Sequence, residues 1–345
     1  MTHQIPRIAI NGFGRIGRAL ARIAMRDANC PFEWVAVNDL VDVDSLAYML
    51  RYDSVHGKFE QPVTVVDGNL QIGGKTIKTL GEKDPTTLPW GDLGVDILVE
   101  CTGRFRKRSQ AAMHLQAGAG RVVLSAPGDG KDAPDITVVS GINDGLLRAD
   151  HKVISAASCT TTCLAPVAMT LHDQFGIEAG WMTTVHSYTN DQALVDVPHP
   201  KDLRRGRNAA ENIVPTSTGA AQAIGLVVPA LAGKLTGAAL RVPTPDVSLV
   251  DLVVRTERDV TLQSVRDALG RAAATLPAGV LRIEHDAVVS SDLIGDSTGS
   301  IIDDALTSIP GDRLVHVVAW YDNEWGYASR LYALLCTLAR QQAQG

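Results

Sequence analysis

Features that would place a chain of this length in a special class are scarce or missing. Its 345 residues contain no run of eighteen apolar residues, which excludes a membrane-spanning helix as the organising element. Five cysteines are too few, and odd in number, for a disulfide framework, and they favour a reducing compartment. We expect a cytoplasmic protein in which residues 1–4 lead directly into a first strand.

Charge and repetition are equally limited. The net charge of −6 argues against nucleic acid as the main partner, although it leaves room for a local basic patch. No internal repeat is present, and the histidines and cysteines lack the spacing of a closed zinc site, so we expect no metal. The length favours two domains, and 45% hydrophobic with 20% charged residues is typical of a globular α/β protein.

A glycine-rich turn follows the first predicted strand, Arg7–Asn11. In Gly12-Phe13-Gly14-Arg15-Ile16-Gly17 the glycines permit a tight turn, close approach of a diphosphate and close packing of the next helix. The pattern alone also fits an ordinary strand-to-helix loop. Asp39 separates the two interpretations, because a carboxylate 22 residues after Gly17 (39 − 17), at the end of the second strand, accepts ribose hydroxyls and repels a 2′-phosphate. We predict a Rossmann domain that prefers NAD to NADP.

Further buried strands are predicted in the first half, together with a helix over 109–117 and hairpins over 63–77. The strands span 95–100, 121–125, 136–139 and 152–154. Thr102, Gly103 and Ser125 follow two of them and should face the ligand crevice at the carboxyl edge of the sheet. Residues 1–157 are therefore predicted to form the NAD-binding domain.

The second half alternates apolar and polar residues in its predicted strands, at 181–184, 240–242, 248–255 and 314–320. This favours an α+β catalytic domain with a mixed sheet over 158–322. Residues 323–345, with a leucine stripe in a helix over 329–340, are predicted to pack back on the first domain. The long polar segment 187–207 ends in a basic cluster that fits a solvated face, a nucleic-acid patch or a subunit interface, of which we favour the interface.

Cys159 lies where a predicted strand ends and helical spacing begins. Unpaired backbone N–H groups and the helix dipole stabilise a thiolate at such a position, which makes Cys159 a candidate nucleophile. A small buried residue at a strand-to-helix turn is the other interpretation. Position alone does not separate the two.

Motifs along nearly the whole chain resemble the phosphorylating glyceraldehyde-3-phosphate dehydrogenases. They are Asn11–Arg18, Tyr52–Gly57, Ala157–Thr161, Thr183–Gln192, Ser217–Ala221, Arg241–Pro245 and Trp320–Tyr327. The resemblance implies a homotetramer that oxidises glyceraldehyde 3-phosphate to 1,3-bisphosphoglycerate in glycolysis or gluconeogenesis. NAD would be reduced, and inorganic phosphate would be the second substrate. The implied route runs through a thiohemiacetal and a thioester on the cysteine.

The resemblance also implies a role for each matching residue. Cys159 would be the nucleophile and His186 its base, with the imidazole stabilising the thiolate as an ion pair. Thr189 and Arg241 would hold the substrate phosphate, and Asn323 the nicotinamide carboxamide. The inorganic phosphate site would comprise Ser158, Thr160, Thr218 and Gly219. The cofactor site would comprise Gly12, Phe13, Gly14, Arg15, Ile16, Gly17, Asp39, Thr102, Gly103, Ser125, Asn323 and Tyr327.

Two positions depart from the family pattern, since Ala156 and Thr162 stand where Asn is usual. Taken singly, several site residues also have ordinary interpretations: His186 as a satisfied polar residue, Arg241 as a surface ion-pair partner, and Thr218 as a helix N-cap. Two other functions stay open at this point. One is erythrose-4-phosphate dehydrogenase, which hydrolyses its thioester, and the other is a non-catalytic binding paralogue.

Overall fold

The computed structural model describes residues 5–344, so the opening residues 1–4 and Gly345 lie outside the described residues. The chain divides into two compact units. The first runs to Ala157 and takes in the chain again from Leu331, while the second is Ser158–Arg330.

The first unit is built on a large sheet with helices between its strands. The strands are β1 (Arg7–Asn11), β2 (Glu33–Asn38), β3 (Tyr52–Asp53), β4 (Gly57–Lys58), β5 (Val63–Val66), β6 (Asn69–Ile72), β7 (Lys75–Leu80), β8 (Ile97–Glu100), β9 (Arg121–Leu124), β10 (Ile136–Thr137) and β11 (Val153–Ser155). The helices are α1 (Arg15–Arg26), α2 (Val43–Arg51) and α3 (Arg108–Gln116). β3 and β4 pair separately from the large sheet.

Sheet order confirms the predicted Rossmann fold. The strands run β10-β11-β9-β8-β1-β2-β7-β6-β5, and every neighbouring pair from β10 to β7 is parallel. Counted by their place in the chain, β7-β2-β1-β8-β9-β11 reproduce the dinucleotide-binding order, in which the crevice opens beside the first strand. Alternate residues of β1 lie in different cores, Ile8 and Ile10 in one and Ala9 in the other, because helices cover both faces of a parallel sheet.

The predicted hairpins are also confirmed. Asp67 and Gly68 connect β5 to β6 with φ of +49° and +71°, and Gly73 and Gly74 connect β6 to β7 with φ of +54° and +84°. Two successive positive φ values are the requirement of the tight hairpin turn that matches strand twist, which explains the Asp-Gly and Gly-Gly pairs.

The second unit combines a mixed sheet with helices. Its helices are α4 (Cys159–Phe175), α5 (Ala220–Val227) and α6 (Leu262–Thr275), and its strands are β12 (Ile177–Ser187), β13 (Val214–Ser217), β14 (Leu235–Val242), β15 (Ser248–Thr256), β16 (Leu281–Glu284), β17 (Ser300–Gly311) and β18 (Leu314–Tyr321). The sheet order is β13-β14-β12-β15-β18-β17-β16. β12 pairs in parallel with β14 and antiparallel with β15, as a mixed sheet requires.

Several elements of the second unit were not predicted from the sequence. The largest is β17, whose alternation is interrupted by irregular pairing with β18 after Asp303 and by Pro310 near its end. Its partner β16 and the edge strand β13 are only four residues each, too short for a clear period.

The last helix, α7 (Trp325–Gln344), begins earlier than predicted. Its residues up to Arg330 group with the second unit, and those from Leu331 with the first. The predicted leucine stripe, Leu331, Leu334, Leu335 and Leu338, is at most 1% exposed and lies in the same core cluster as Ile8 and Ile10. Burial of these four side chains explains why the chain returns to its first unit.

Candidate active site

Cys159 is the first residue of α4. The chain turns into this helix at Ala157, whose φ of +57° lies in the left-handed region that residues with a Cβ seldom adopt. Ser158 then caps the helix, since its Oγ accepts the N–H of Thr161 at 3.1 Å. The sulfur therefore lies at the positive end of the helix, as the sequence predicted.

His186 lies next to that sulfur. Its Nε2 is 3.5 Å from Cys159 Sγ, and the side chain is 5% exposed. β12 ends one residue later, at Ser187, so the imidazole stands at the carboxyl end of a strand. The ring has contacts on its other side as well, because Nδ1 is 2.7 Å from the carbonyl oxygen of Ser187.

Burial shifts the pKa values of both groups toward their neutral forms. Burial raises the pKa of the Cys159 thiol, and this outweighs the charge of Arg241 and the hydrogen bonds from Thr160, which lower it. Burial and the charge of Arg241 lower the pKa of His186 to about 3. Removing either charge from water is costly, so burial opposes the thiolate–imidazolium pair that the resemblance implies, whereas the charge of Arg241 and the Thr160 hydrogen bonds favour the thiolate. A neutral imidazole beside a thiol can instead accept the proton as sulfur attacks.

Arg241 is the cation of this site. β12 and β14 are parallel neighbours with His186 opposite Arg241, so the two side chains come together through the strand register. Arg241 Nη1 donates to the Ser187 carbonyl at 2.9 Å and lies 2.5 Å from His186 Nδ1. The buried Nε of Arg241 has no hydrogen-bond partner among the described residues. A guanidinium with an unused donor can bind an added anion.

The sequence did not single out Tyr321 as a site residue, although it lies in the Trp320–Tyr327 motif. Its hydroxyl lies 2.8 Å from Thr160 Oγ1 and 2.9 Å from Thr184 Oγ1, and the side chain is 1% exposed. The ring meets that of His186 edge to face, with centroids 6.0 Å apart. Tyr321 therefore orients both the Thr160 hydroxyl, which hydrogen-bonds to Cys159, and the His186 imidazole. Only the pairing of β15 with β12 and β18 brings it there.

Thr189 follows β12, and its hydroxyl is hydrogen-bonded to the carboxylate of Asp191. That carboxylate is paired with Arg205 at 2.8 Å. Arg205 Nε also donates to Thr216 Oγ1 at 2.9 Å, on the strand that leads to Thr218. Arg205 thus connects the segments that carry two of the predicted phosphate ligands. Sequence reasoning placed it only in the basic cluster, and its position three residues after an acidic Asp202 gave no signal for this role.

The remaining predicted phosphate ligands lie at helix starts. Thr218 Oγ1 accepts the N–H of Ala220 at 3.2 Å, and Gly219 is the N-cap of α5, with open space where a Cβ would stand. Thr218 therefore takes part in the helix start, but its ordinary interpretation as the N-cap is wrong, because Gly219 holds that position. Thr160 is 4% exposed, and its hydroxyl is hydrogen-bonded to that of Tyr321. At the start of α4, Thr160 therefore offers an anion chiefly its backbone N–H group.

Asn323 is held by a serine that the sequence did not indicate. Ser248 Oγ donates to Asn323 Oδ1 at 2.6 Å and accepts the N–H of Ser187 at 3.1 Å. Because its oxygen is engaged, the amide of Asn323 offers its NH₂ group as a donor. Tyr327, in the first turn of α7, is 5% exposed.

In the first unit, the glycine-rich turn has the geometry that its motif predicts. Gly12 has φ of +92°, and a Cβ there would lie 2.7 Å from Thr102. A Cβ on Gly17 would lie 2.4 Å from the carbonyl oxygen of Gly12, whereas a Cβ on Gly14 would meet no atom within 4 Å. Two glycines are therefore needed for packing, and the third leaves open space at the start of α1. That helix has no side-chain cap and no acidic residue in its first turn.

Other predicted cofactor residues surround this turn. Asp39 Oδ2 accepts the N–H of Phe13 at 2.6 Å, which ties the end of β2 to the turn. The Phe13 ring itself is 1% exposed and packs against Trp34, so its side chain belongs to the core. Arg15 pairs with Asp53, whose pKa is lowered to about 2. Ile16 packs against the core as a partly buried residue.

The ends of β8 and β9 supply Thr102, Gly103 and Ser125. The backbone N–H and hydroxyl of Thr102 both donate to the carboxylate of Glu100, a buried group that also takes the Asn11 amide. Gly103 has φ of +69° with open space around its Cβ position. Ser125 N–H donates to the Glu100 carbonyl at 3.0 Å. These residues stand at the carboxyl edge, as predicted.

Comparison with known proteins bears on both units. Residues 6–108 match the family model "Glyceraldehyde 3-phosphate dehydrogenase, NAD binding domain", and residues 158–323 match its C-terminal domain. A glyceraldehyde-3-phosphate dehydrogenase of Geobacillus stearothermophilus is 52% identical over 334 residues, 96% of this chain and 98% of the relative. The chain belongs to the glyceraldehyde 3-phosphate dehydrogenase family. Relatives from Priestia megaterium and Streptomyces arenae are 53% and 51% identical, each over 95% of this chain and 96% and 97% of the relative.

Membership of this family makes the protein an NAD-dependent dehydrogenase, and the first unit has the features that NAD requires. The uncapped start of α1 offers N–H groups to a diphosphate, and the space beside Gly14 admits it. Asp39 stands at the end of β2, the position of the acidic residue in dinucleotide-binding folds. Within residues 5–344, no helix is long and apolar enough to cross a membrane.

Two glycines of this turn allow a matched test. We expect Gly17→Ala to destabilise the protein by about 1–3 kcal/mol, because its Cβ would overlap the Gly12 carbonyl. Gly14→Ala should leave stability within about 0.5 kcal/mol while weakening NAD binding, since its methyl group would occupy only the open space. Thermal unfolding and calorimetric titration with NAD measure the two effects. Equal losses of stability in both variants would contradict this assignment.

Proposed function

We propose that this protein catalyses the phosphorylating oxidation of glyceraldehyde 3-phosphate to 1,3-bisphosphoglycerate with reduction of NAD. The observation that carries the proposal is the approach of Cys159 Sγ to His186 Nε2, 3.5 Å, with the Arg241 guanidinium against the same imidazole. A nucleophile, a base and a phosphate-binding cation are thus within contact of one another.

Cys159 and His186 carry the covalent chemistry in this proposal. The sulfur attacks the aldehyde carbon, while the neutral imidazole takes the thiol proton and returns it to the oxygen, which gives a thiohemiacetal. His186 then removes the hydroxyl proton as the carbon is oxidised, and a thioester remains on Cys159. Attack by inorganic phosphate on that thioester releases the acyl phosphate and expels the Cys159 thiolate, which takes up a proton from His186 and so restores the starting thiol and the neutral imidazole.

Two sets of residues would hold the phosphates. Arg241 suits the substrate phosphate because its Nε has no hydrogen-bond partner among the described residues. Thr189 offers a hydroxyl close to His186 in the sequence. We include Arg205 among the residues that would bind the substrate phosphate. If a phosphate replaced Asp191 as the partner of Arg205, the Thr189 hydroxyl, which is bound to Asp191, would become available as well. The inorganic phosphate would bind at Thr218 and Gly219 and at the cap of α4, Ser158 and Thr160, where backbone N–H groups face outward from helix starts.

The cofactor would be held by residues of the glycine-rich turn and of the Trp320–Tyr327 motif. The Gly12–Gly17 turn would bind the diphosphate, with Asp39 on the ribose and the strand-end residues Thr102, Gly103 and Ser125 around it. When bound, NAD supplies the ring carbon that accepts the hydride. Asn323 would orient that ring through its NH₂ group, and Tyr327 would support it.

We also propose that the protein acts in the cytoplasm as a homotetramer. The segment between β12 and β13 exposes Leu194, Val195, Leu203 and Ile213 at 64–88%, a concentration of apolar surface that a second copy of the chain would cover. Its basic residues favour this over nucleic acid, because Arg205 pairs with Asp191 and Arg207 with Asp196.

The test is the initial rate of NADH formation with and without inorganic phosphate, from glyceraldehyde 3-phosphate and from erythrose 4-phosphate in parallel. We expect turnover of the three-carbon substrate that depends on phosphate. Strong phosphate-independent turnover of erythrose 4-phosphate would favour the hydrolytic dehydrogenase. Absence of turnover with either aldehyde, in protein that still binds NAD, would favour a non-catalytic paralogue.

A further inference from the structure

Three neighbouring strands of the first unit end in buried polar side chains. The strand register sets Asn11, the last residue of β1, beside Asn38 of β2 and Glu100 of β8. Each of them is 2–4% exposed. They are joined directly, because Asn38 Nδ2 is 2.7 Å from Asn11 Oδ1 and Asn11 Nδ2 is 2.5 Å from Glu100 Oε2. These three residues, the polar row, lie at the carboxyl edge of the sheet beside the glycine-rich turn.

The backbone of Glu82 fixes the direction of these hydrogen bonds at one end of the polar row. Its N–H donates to Asn38 Oδ1 and its carbonyl accepts from Asn38 Nδ2, each at 2.8 Å. Asn38 must therefore present its remaining N–H to the side-chain oxygen of Asn11. The NH₂ group of Asn11 is then directed to Glu100, whose carboxylate accepts it.

Trp90 and His114 fix the direction at the other end. The indole Nε1 of Trp90 is 3.1 Å from His114 Nδ1, and His114 Nε2 is 3.2 Å from Glu100 Oε2. An indole N–H can only donate, so Nδ1 is an acceptor and the ring proton is on Nε2, which donates to the carboxylate. His114 Nε2 and Asn11 Nδ2 are 3.4 Å apart because both donate to that one oxygen. Both ring nitrogens are thereby satisfied in a side chain that is 0% exposed.

Glu100 holds both chain segments that meet at the glycine-rich turn. While Oε2 accepts from Asn11 and His114, Oε1 accepts the backbone N–H of Thr102 at 2.8 Å and also its hydroxyl. Thr102 packs directly against Gly12, where a Cβ would lie 2.7 Å from it. The orientation of this carboxylate therefore sets how the ends of β1 and β8 come together at the turn.

We propose that His114 is a positioning residue for NAD, because it fixes the Glu100 carboxylate, which in turn holds Thr102 against the glycine-rich turn. This inference rests on the proposed function, since it takes Thr102 and the turn to bind the cofactor. Without the donor from His114, the buried carboxylate would lack one hydrogen bond and would reorient, which moves Thr102. Trp90 contributes by holding the imidazole in the tautomer that donates.

Two substitutions of His114 separate its hydrogen bonds from its volume. Glutamine carries an acceptor and a donor in one side-chain amide, so it can replace Nδ1 and Nε2, whereas leucine fills the space and makes neither bond. We expect His114→Leu to weaken NAD binding by about 10-fold, the effect of taking one hydrogen bond from a buried charged group. His114→Gln should stay within about threefold of the wild type. Calorimetric titration of the protein with NAD, in the absence of aldehyde, measures both.

His151→Leu is the matched control. His151 is a second buried histidine of the first unit, 5% exposed, but its Nδ1 accepts the N–H of Arg148 at 3.2 Å instead of joining the polar row. This variant should lose stability, as His114→Leu does, and should bind NAD like the wild type. Thermal unfolding reports the stability of each. Equal NAD affinities in His114→Leu and His151→Leu, or equal losses in His114→Leu and His114→Gln, would overturn the proposal.

A further readout does not depend on a His114 variant. Nitrogen-15 NMR of histidine-labelled protein should show a ring protonated on Nε2 whose Nδ1 signal moves in Trp90→Phe, which deletes the indole donor. NAD affinity should fall by about threefold in the same variant, because the imidazole is no longer held. If the ring that responds to Trp90→Phe is protonated on Nδ1, or if this variant keeps wild-type affinity, the proposal is overturned even where His114→Leu does not fold. None of these measurements uses an aldehyde, so a failure of the proposed reaction and a failure of this network give different results.

Discussion

Replacing Cys159 by serine is expected to reduce NADH formation from glyceraldehyde 3-phosphate by about 10⁴-fold or more. A hydroxyl in this position is a far weaker nucleophile than a thiol whose proton His186 can accept. The ester it could form also lacks the reactivity of a thioester toward phosphate. Initial rates with saturating NAD and phosphate measure the loss.

Cys163→Ser is the matched control for this prediction. Cys163 stands one helical turn after Cys159, is 0% exposed, and its sulfur lies 3.6 Å from Ser300 Oγ. A serine there can keep this hydrogen bond, so we expect activity within a few-fold of the wild type. Comparable losses in the two variants would show that the effect is structural and that Cys159 is not the nucleophile.

The second large effect is expected for His186→Asn, a loss in kcat of about 10²–10⁴-fold. Asparagine can still contact the Ser187 carbonyl and Arg241, but it cannot take a proton from the thiol or the thiohemiacetal. Alkylation of Cys159 by iodoacetamide should slow in the same variant, because the thiol pKa is raised by burial and the base is gone.

His316→Asn is the corresponding control. His316 lies on β18 of the same sheet, but its Nε2 contacts Asp251 at 3.3 Å, in a partly exposed ion pair of the kind that contributes little. The activity of the His316→Asn variant should match that of the wild type. If His186→Asn kept full kcat, the transfer of protons in the proposed mechanism would need another group.

Much of the first unit could be predicted because its signals are local. Gly12 and Gly17 are required by contacts within the turn itself, and the Asp-Gly and Gly-Gly hairpins are required by backbone φ values. Alternation and apolar runs indicated most of the strands as well. In the second unit, by contrast, β17 was not predicted, because its alternation of apolar and polar residues is interrupted.

The candidate site divides in the same way. Cys159 at a helix start, capped by Ser158, follows from a few consecutive residues, and the family motifs pointed to His186 and Arg241 separately. The sequence did not reveal Tyr321 behind the imidazole, Ser248 on Asn323, or Arg205 between two predicted phosphate ligands. Each of these contacts joins residues between 11 and 161 positions apart through strand pairing or loop packing.

By itself, then, the sequence determined the Rossmann turn, the acidic residue at the end of β2, and the place of Cys159 at a helix start, because short-range geometry and residue chemistry suffice for them. Only the tertiary structure decided what surrounds Cys159 and His186. The parallel register of β12 and β14 sets Arg241 against His186, and burial then disfavours charge on both imidazole and thiol. Such effects depend on what surrounds a group in three dimensions, which no local pattern records.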